Sequence, residues 1–202
     1  LITGASAGIG AAFARHLAQE GYNLLLVARR AEKLQALATE LQQRYGVTCM
    51  VFAADLNDPA APQAIMDFAQ AQQINIDILI NNAGLAGKGS FAGSAWSELA
   101  GEIQVMIMAV THLCHLVLPH MRAQGWGRII NLSSIAAFSP PAESLIYTGI
   151  KSYVLNMSQS LDMELKPQGI HVTAVCPGFT HSEFHDHMGT RDAANKLPSI
   201  LW

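Results

Sequence analysis

The chain has 202 residues, enough for one large domain; half are apolar and only 13% charged, so it can bury a substantial core and is not disordered. A net charge of −3 without any cluster of Lys and Arg excludes the electrostatic footprint of a nucleic-acid binder. Three widely spaced cysteines in apolar surroundings (Cys49, Cys114, Cys176) read as buried free thiols of a reducing compartment. No apolar run approaches eighteen residues and no basic segment precedes a signal-like stretch, so the reading is cytoplasmic, with no membrane partner.

Leu1-Ile2 has the character of a strand end, and a glycine-rich run then leads into a helix from near Ile9. A strand over Asn23–Val27 and a helix over Glu32–Arg44 follow, then a strand at Thr48–Ala53 and a helix at Ala60–Gln73. Next come a strand at Ile76–Ile80, a long helix within Ser97–Gln124, a strand at Arg128–Leu132, a helix at Ser144–Lys166 and a strand at His171–Val175. The strands are nearly continuous apolar runs, as expected when helices cover both faces. Strand–helix alternation at this period predicts right-handed βαβ units in a single α/β domain, a doubly wound parallel sheet in three layers. Residues 179–202 carry no clear pattern. Leu1 in place of a start methionine, and an apolar stop at Leu197–Trp202, suggest an ordered part of a longer protein.

Gly4, Gly8 and Gly10, within Thr3-Gly4-Ala5-Ser6-Ala7-Gly8-Ile9-Gly10, sit between the first strand and the first helix. Glycines there allow a tight turn, close approach of backbone to a pyrophosphate, and packing of helix on sheet. The helix N-terminus behind them offers free N–H groups and the positive end of a dipole to phosphate. An ordinary strand–helix turn would use similar residues, so position in the βαβ series is what favours a nucleotide cradle. At the end of the second strand an NAD-type site carries an acid for the ribose 2′-hydroxyl; here the place reads Ala28-Arg29-Arg30. Two arginines opening a helix oppose its dipole, which is explained if the 2′-phosphate of NADP(H) lies among them; the alternative is a solvated pair.

Tyr147 and Lys151, four positions apart, project from one helix face, and Ser134 lies thirteen residues before the tyrosine. A phenol of pKa ~10 is a poor acid at neutral pH. An ammonium ~4 Å away, at an effective dielectric of ~20, contributes at most ~4 kcal/mol, or roughly three pKa units. The spacing alone is weak, since Tyr-x-x-x-Lys occurs in many solvated helices.

Together these motifs resemble the short-chain dehydrogenase/reductase family along nearly the whole chain. The match runs through Thr3–Gly10, Asp55-Leu56, Asn81-Asn82-Ala83-Gly84, Asn131-Leu132-Ser133-Ser134, Tyr147-x-x-x-Lys151 and Pro177-Gly178, each at a strand's C-terminal end and in the family's order. The resemblance implies a Rossmann fold and an oxidoreductase moving a hydride between NADP(H) and a small carbonyl or alcohol substrate. By that resemblance Tyr147 is the general acid/base, Lys151 lowers its pKa and holds the nicotinamide ribose, and Ser134 orients the carbonyl, with Ser133 structural. Gly4, Ser6, Ala7, Gly8, Ile9 and Gly10 form the cradle. Asp55 and Leu56 meet the adenine, and Asn82, Ala83 and Gly84 line the adenosine ribose. Pro177, Gly178, Thr180 and Ser182 border the nicotinamide, and 179–202 form a substrate lid.

The family's fourth catalytic residue, an asparagine in the long helix, is replaced by Met106. In the family its carbonyl holds a relay water while its side chain braces a helix irregularity; methionine keeps the carbonyl without the brace. This departure supports a second reading, a weak or inactive NADP-binding regulator or scaffold. A sugar-nucleotide epimerase or dehydratase fits less well, by glycine spacing and size. His181, His185, Asp186 and His187 lack an anchoring ligand set and read as loop or substrate-contacting residues, so no metal is expected. His112 and His115 read as lying on the buried or subunit-facing side of the long helix. Its apolar stripes, with those of Ser144–Lys166, fit a homodimer or homotetramer.

Overall fold

The computed structural model describes residues 1–85, 90–139, 146–178 and 180. Six strands, β1 (Ile2–Thr3), β2 (Leu24–Ala28), β3 (Cys49–Ala53), β4 (Ile78–Asn81), β5 (Gly127–Leu132) and β6 (Ile170–Val175), form one sheet in the order β3-β2-β1-β4-β5-β6. Every pairing is parallel. The chain runs outward from β1 to β3, crosses over, and runs outward again from β4. The order therefore reverses between β1 and β4, where open α/β sheets take their ligands. The three-layer, doubly wound expectation holds.

Period-two alternation divides the strand side chains between two cores. Leu25 and Val27 enter one with Ile65, Leu113 and Ile150; Leu24 and Leu26 enter the other with Ala14, Leu34 and Leu41. Helices α1 (Gly8–Gln19) and α2 (Ala31–Tyr45) cover the second face, while α3 (Ala61–Ala71), α5 (Ala109–Gln124) and α6 (Tyr147–Leu165) cover the first. In α2 the apolar residues Leu34, Leu37, Ala38 and Leu41 recur at helical spacing and all are buried. Each such leucine contributes roughly 1.5–3 kcal/mol on leaving water.

The long helix is not uniform. α4 (Trp96–Ile103) passes through one π turn, Gln104–Met108, into α5. By length and composition this run, Trp96–Gln124, is apolar enough to cross a bilayer, although half of its most apolar window is buried inside the domain. Short 3₁₀ turns at Phe91–Gly93, Ile135–Phe138 and Lys166–Gln168 carry no periodicity signal and are additions to the predicted elements. Cys49 and Cys114 are buried, but Cys176, beyond the end of β6, is only partly so, which corrects the expectation of three buried thiols; all three are free. His112 is half-buried and His115 exposed.

Candidate active site

Thr3 and Asn82 clasp the glycine turn to the end of β4. The Thr3 hydroxyl accepts the N–H groups of Asn82 (3.0 Å) and Ala83 (3.1 Å). The Asn82 amide donates to the carbonyls of Thr3 (3.0 Å) and Gly4 (3.1 Å). Gly4 adopts φ +65°, and a Cβ on it would lie 2.9 Å from the Ala83 Cα. At Gly10 a Cβ would fall on the Gly4 carbonyl and the Asn82 amide. Gly10 therefore packs the start of α1 against the turn and does not line the cleft, although it was expected in the cradle. α1 begins on Ala7 with no side-chain cap and no acid in its first turn, so its leading N–H groups face the cleft.

A cleft of about 580 Å³ crosses the C-terminal ends of the strands. At one end lie Ser6, Ala7, Gly8, Ile9, Arg29 and Arg30, with Asp55 and Leu56 beside them. Arg30 reaches back to the Ser6 hydroxyl through Nε (3.3 Å) and Nη2 (3.0 Å), linking the end of β2 to the turn. Arg29 and Asp55 are exposed, and the Asp55 carboxylate accepts the N–H of Asn57 at 3.0 Å. Asn82, Ala83 and Gly84 line the middle; Ser134, Tyr147, Lys151, Pro177, Gly178 and Thr180 line the other end. Ser182 and the histidines 181, 185 and 187 lie outside the described residues.

At the reacting end Lys151 is buried, while Ser134 and Tyr147 are half-buried. Lys151 is 6% exposed and donates from Nζ to the Leu132 carbonyl at 2.8 Å. Burial brings its pKa down to about 8, against an opposing influence of Cys176. Tyr147 opens α6, and burial raises its phenol above the ordinary value while a hydrogen bond with Ser134 pulls it back. This differs from the expected lowering by Lys151, which is not among the groups moving the phenol. The ammonium sits 5.4 Å from the centroid of the Tyr147 ring and donates to the Leu132 carbonyl. Ser134 also accepts the N–H of Ala136 at 3.1 Å. Ser133, 4% exposed, donates to the Lys151 carbonyl at 2.7 Å.

Met106 is 1% exposed, packed in the core at the middle of the π turn. The helix irregularity thus forms without an amide to brace it.

The family model described as short chain dehydrogenase matches residues 1–193. The chain belongs to this family. It is 34% identical over 203 residues to oxidoreductase UcpA of Escherichia coli (strain K12), covering 100% of this chain and 76% of that protein. A short-chain dehydrogenase from Sphingobium yanoikuyae in complex with NADPH superposes with a TM-score of 0.90 at 39% identity, covering 98% of this chain and 76% of that one. The bulky-bulky ketone specific alcohol dehydrogenase from Comamonas testosteroni gives a TM-score of 0.86 at 34% identity, with 100% and 76% covered.

Several family-site residues carry no motif signal. Leu85, Val105, Ile135, Ala136 and Ser139 complete the cleft wall, brought together from three segments by the fold alone. Thr3 lay inside the expected motif, but its clasping role needs the β1–β4 pairing to be visible. Glu102, 3% exposed on α4, leaves Oε2 without a hydrogen-bond partner among the described residues. Its helical spacing gave no warning that a carboxyl would face inward.

Proposed function

We propose that the chain is an NADP(H)-dependent oxidoreductase that reduces a ketone or aldehyde, or oxidises the corresponding alcohol. One observation carries the reading: a single cleft joins an uncapped helix N-terminus flanked by Arg29 and Arg30 to the hydrogen-bonded Ser134–Tyr147 pair beside Lys151. The residues fit a dinucleotide. Glycines stand where a Cβ would collide, and two guanidiniums replace the acid that an unphosphorylated ribose would need.

When bound, the nicotinamide supplies or accepts the hydride. Ser134 orients the carbonyl oxygen, and Tyr147 donates its proton to that oxygen in reduction and removes it from the alcohol in oxidation. Lys151 has N–H donors beyond the one given to Leu132, and these hold the ribose hydroxyls. Its pKa of about 8 leaves it mostly cationic at neutral pH. Asp55 and Leu56 border the adenine, and Asn82, Ala83 and Gly84 the adenosine ribose. Pro177, Gly178, Thr180 and Ser182 border the nicotinamide, and residues 179–202 serve as substrate lid. Met106 keeps its carbonyl for the relay, so Met106→Asn alters turnover only modestly.

Leu85, Val105 and Ile135 give the reacting end an apolar wall suited to a hydrophobic carbonyl substrate. Exposed Met108, Tyr153 and Met163 on the long helix and α6 support a homodimer or homotetramer through those helices. The test is NADPH oxidation, followed by absorbance, over a panel of carbonyl compounds with NADH in parallel. Turnover with NADPH well above that with NADH is expected; binding of both without turnover would leave only a nucleotide-binding protein.

A further inference from the structure

A chain of buried polar contacts joins β5 to α6, and two of its members, Asn131 and Ser158, do not line the cleft. Asn131 in β5 and Ser133 just beyond its end are two residues apart along extended chain and so point to the same side, the side that α6 covers. Ser158 lies seven residues, close to two turns, beyond Lys151, so both stand on one face of α6. Asn131 donates from Nδ2 to the Ser158 hydroxyl at 2.9 Å, and Ser133 donates to the Lys151 carbonyl at 2.7 Å. Ser158 passes its own proton to the Val154 carbonyl at 2.7 Å. Asn131 and Ser158 are both fully buried.

The orientation of the Asn131 amide is set from behind. Its Oδ1 accepts Asn81 Nδ2 at 2.9 Å and the Cys114 thiol at 3.6 Å. Burial holds that thiol protonated, with a pKa pushed up to about 12, so it remains a donor. With Oδ1 turned to β4 and α5, Nδ2 has to face α6. Apolar packing of Ile150, Val154 and Leu165 holds α6 on the sheet without direction and tolerates sliding. A hydrogen bond does not, because a helix shift of one residue, ~1.5 Å, takes a 2.9 Å contact out of range. Two rungs two turns apart fix both the height and the rotation of the helix.

We propose that the Asn131–Ser158 hydrogen bond is a positioning device that registers α6 on β5 and so places Lys151 and Tyr147 in the cleft. The route is short: Asn131 adjoins Leu132, whose carbonyl holds the Lys151 ammonium. Ser158 is a positioning residue, touching no reacting atom. The catalytic consequence rests on the reading of Tyr147 and Lys151 given above.

The test uses the full chain with Ser158→Ala, Ser158→Thr and Tyr147→Phe, measured well below each melting temperature. Since a displacement of ~1 Å at a catalytic group costs up to ~10²-fold, Ser158→Ala should lower kcat by at least ~10-fold, with NADPH affinity nearly unchanged. Ser158→Thr, which keeps the hydroxyl, should restore kcat. Acylation of Lys151 by an amine-directed reagent, read by mass spectrometry, should rise several-fold in Ser158→Ala relative to the exposed Lys166. Unchanged kcat and Lys151 labelling in a folded Ser158→Ala protein would overturn the proposal, as would failure of the threonine variant to rescue. Equal losses of NADPH binding and kcat would also overturn it, since they report a collapsed cleft. If Ser158→Ala does not fold, Ser158→Cys, a weaker acceptor of similar size, is read by the same criteria. Raised labelling together with full turnover in Tyr147→Phe would retain the positioning role and remove the catalytic reading.

Discussion

The two ends of the cleft solve opposite electrostatic problems. At the cradle end Arg29, Arg30 and Asp55 are exposed, and Arg30 donates to the Ser6 hydroxyl. At the reacting end Lys151 is buried and Tyr147 half-buried, and desolvation moves the ammonium down and the phenol up. Binding a phosphate requires charge that stays ionised at little desolvation cost, which a guanidinium near water provides. Burial at the reacting end instead disfavours charge, which brings Lys151 down to about 8 and raises the Tyr147 phenol, with the Ser134 hydrogen bond pulling it back. The charged residues of this cleft are thus divided by burial as well as by type.

The largest effect should come from the buried end. Tyr147→Phe removes the transferable proton and little volume, so turnover falls by at least ~10²-fold while NADPH binding persists, as a titration and a steady-state assay will show. Retained turnover would erase the functional contrast between the two ends.

The exposed end is probed by Arg29→Ala and Arg30→Ala. A charge-assisted hydrogen bond contributes ~1.5–3 kcal/mol, so one arginine–phosphate contact gives a ~10–150-fold preference for NADPH over NADH. Parallel titrations should show each variant losing NADPH affinity far more than NADH affinity. Equal affinities in the unmutated chain would make the arginines a solvated pair.

Gly10→Ala asks whether the cradle tolerates a single methyl. The added Cβ meets backbone at the Gly4 carbonyl, which cannot swing aside as a side chain does. Overpacking of this kind costs ~1–3 kcal/mol, so denaturant unfolding should show that loss together with weakened NADPH binding.

The smallest effect concerns Glu102. Burial, with Glu98 in second place, raises its carboxyl above the ordinary value of 4.5. A raised acid favours the folded state fully below its unfolded pKa, and that contribution is lost as pH rises through the folded one. The contribution of Glu102 should therefore decline from the acidic side toward neutral pH, read as the difference in stability between the unmutated chain and Glu102→Gln. Glu102→Gln should flatten that decline and gain on the order of 1 kcal/mol near neutrality, because a neutral amide is cheaper to bury than an unpaired carboxylate. Parallel declines in both proteins would remove Glu102 as their cause.

Much of this molecule was legible in the chain itself. The apolar runs of β2 through β6 and the spacing of Leu34, Leu37, Ala38 and Leu41 located the elements to within a few residues, because burial on two faces and on one stripe leave different periods. The motif residues were legible too: apart from Tyr147 and Lys151 on α6, each lies at a strand end where the parallel topology must bring it to the cleft. Continuous apolarity across Ser97–Gln124, by contrast, concealed the π turn, which changes the hydrogen-bond ladder without changing composition.

By itself the sequence determined the parallel fold, which follows from short-range patterns of polarity and spacing. The glycine turn, Ser134, Tyr147 and Lys151 were singled out as candidates by the family resemblance. Only the tertiary structure decided that Gly10 packs rather than lines, that Lys151 donates to Leu132, and that Asn131 meets Ser158 across 27 residues. The sign of the Tyr147 shift was also decided there. Those outcomes depend on burial and on angstrom-scale contacts between distant segments, and neither quantity exists until the chain has closed on itself.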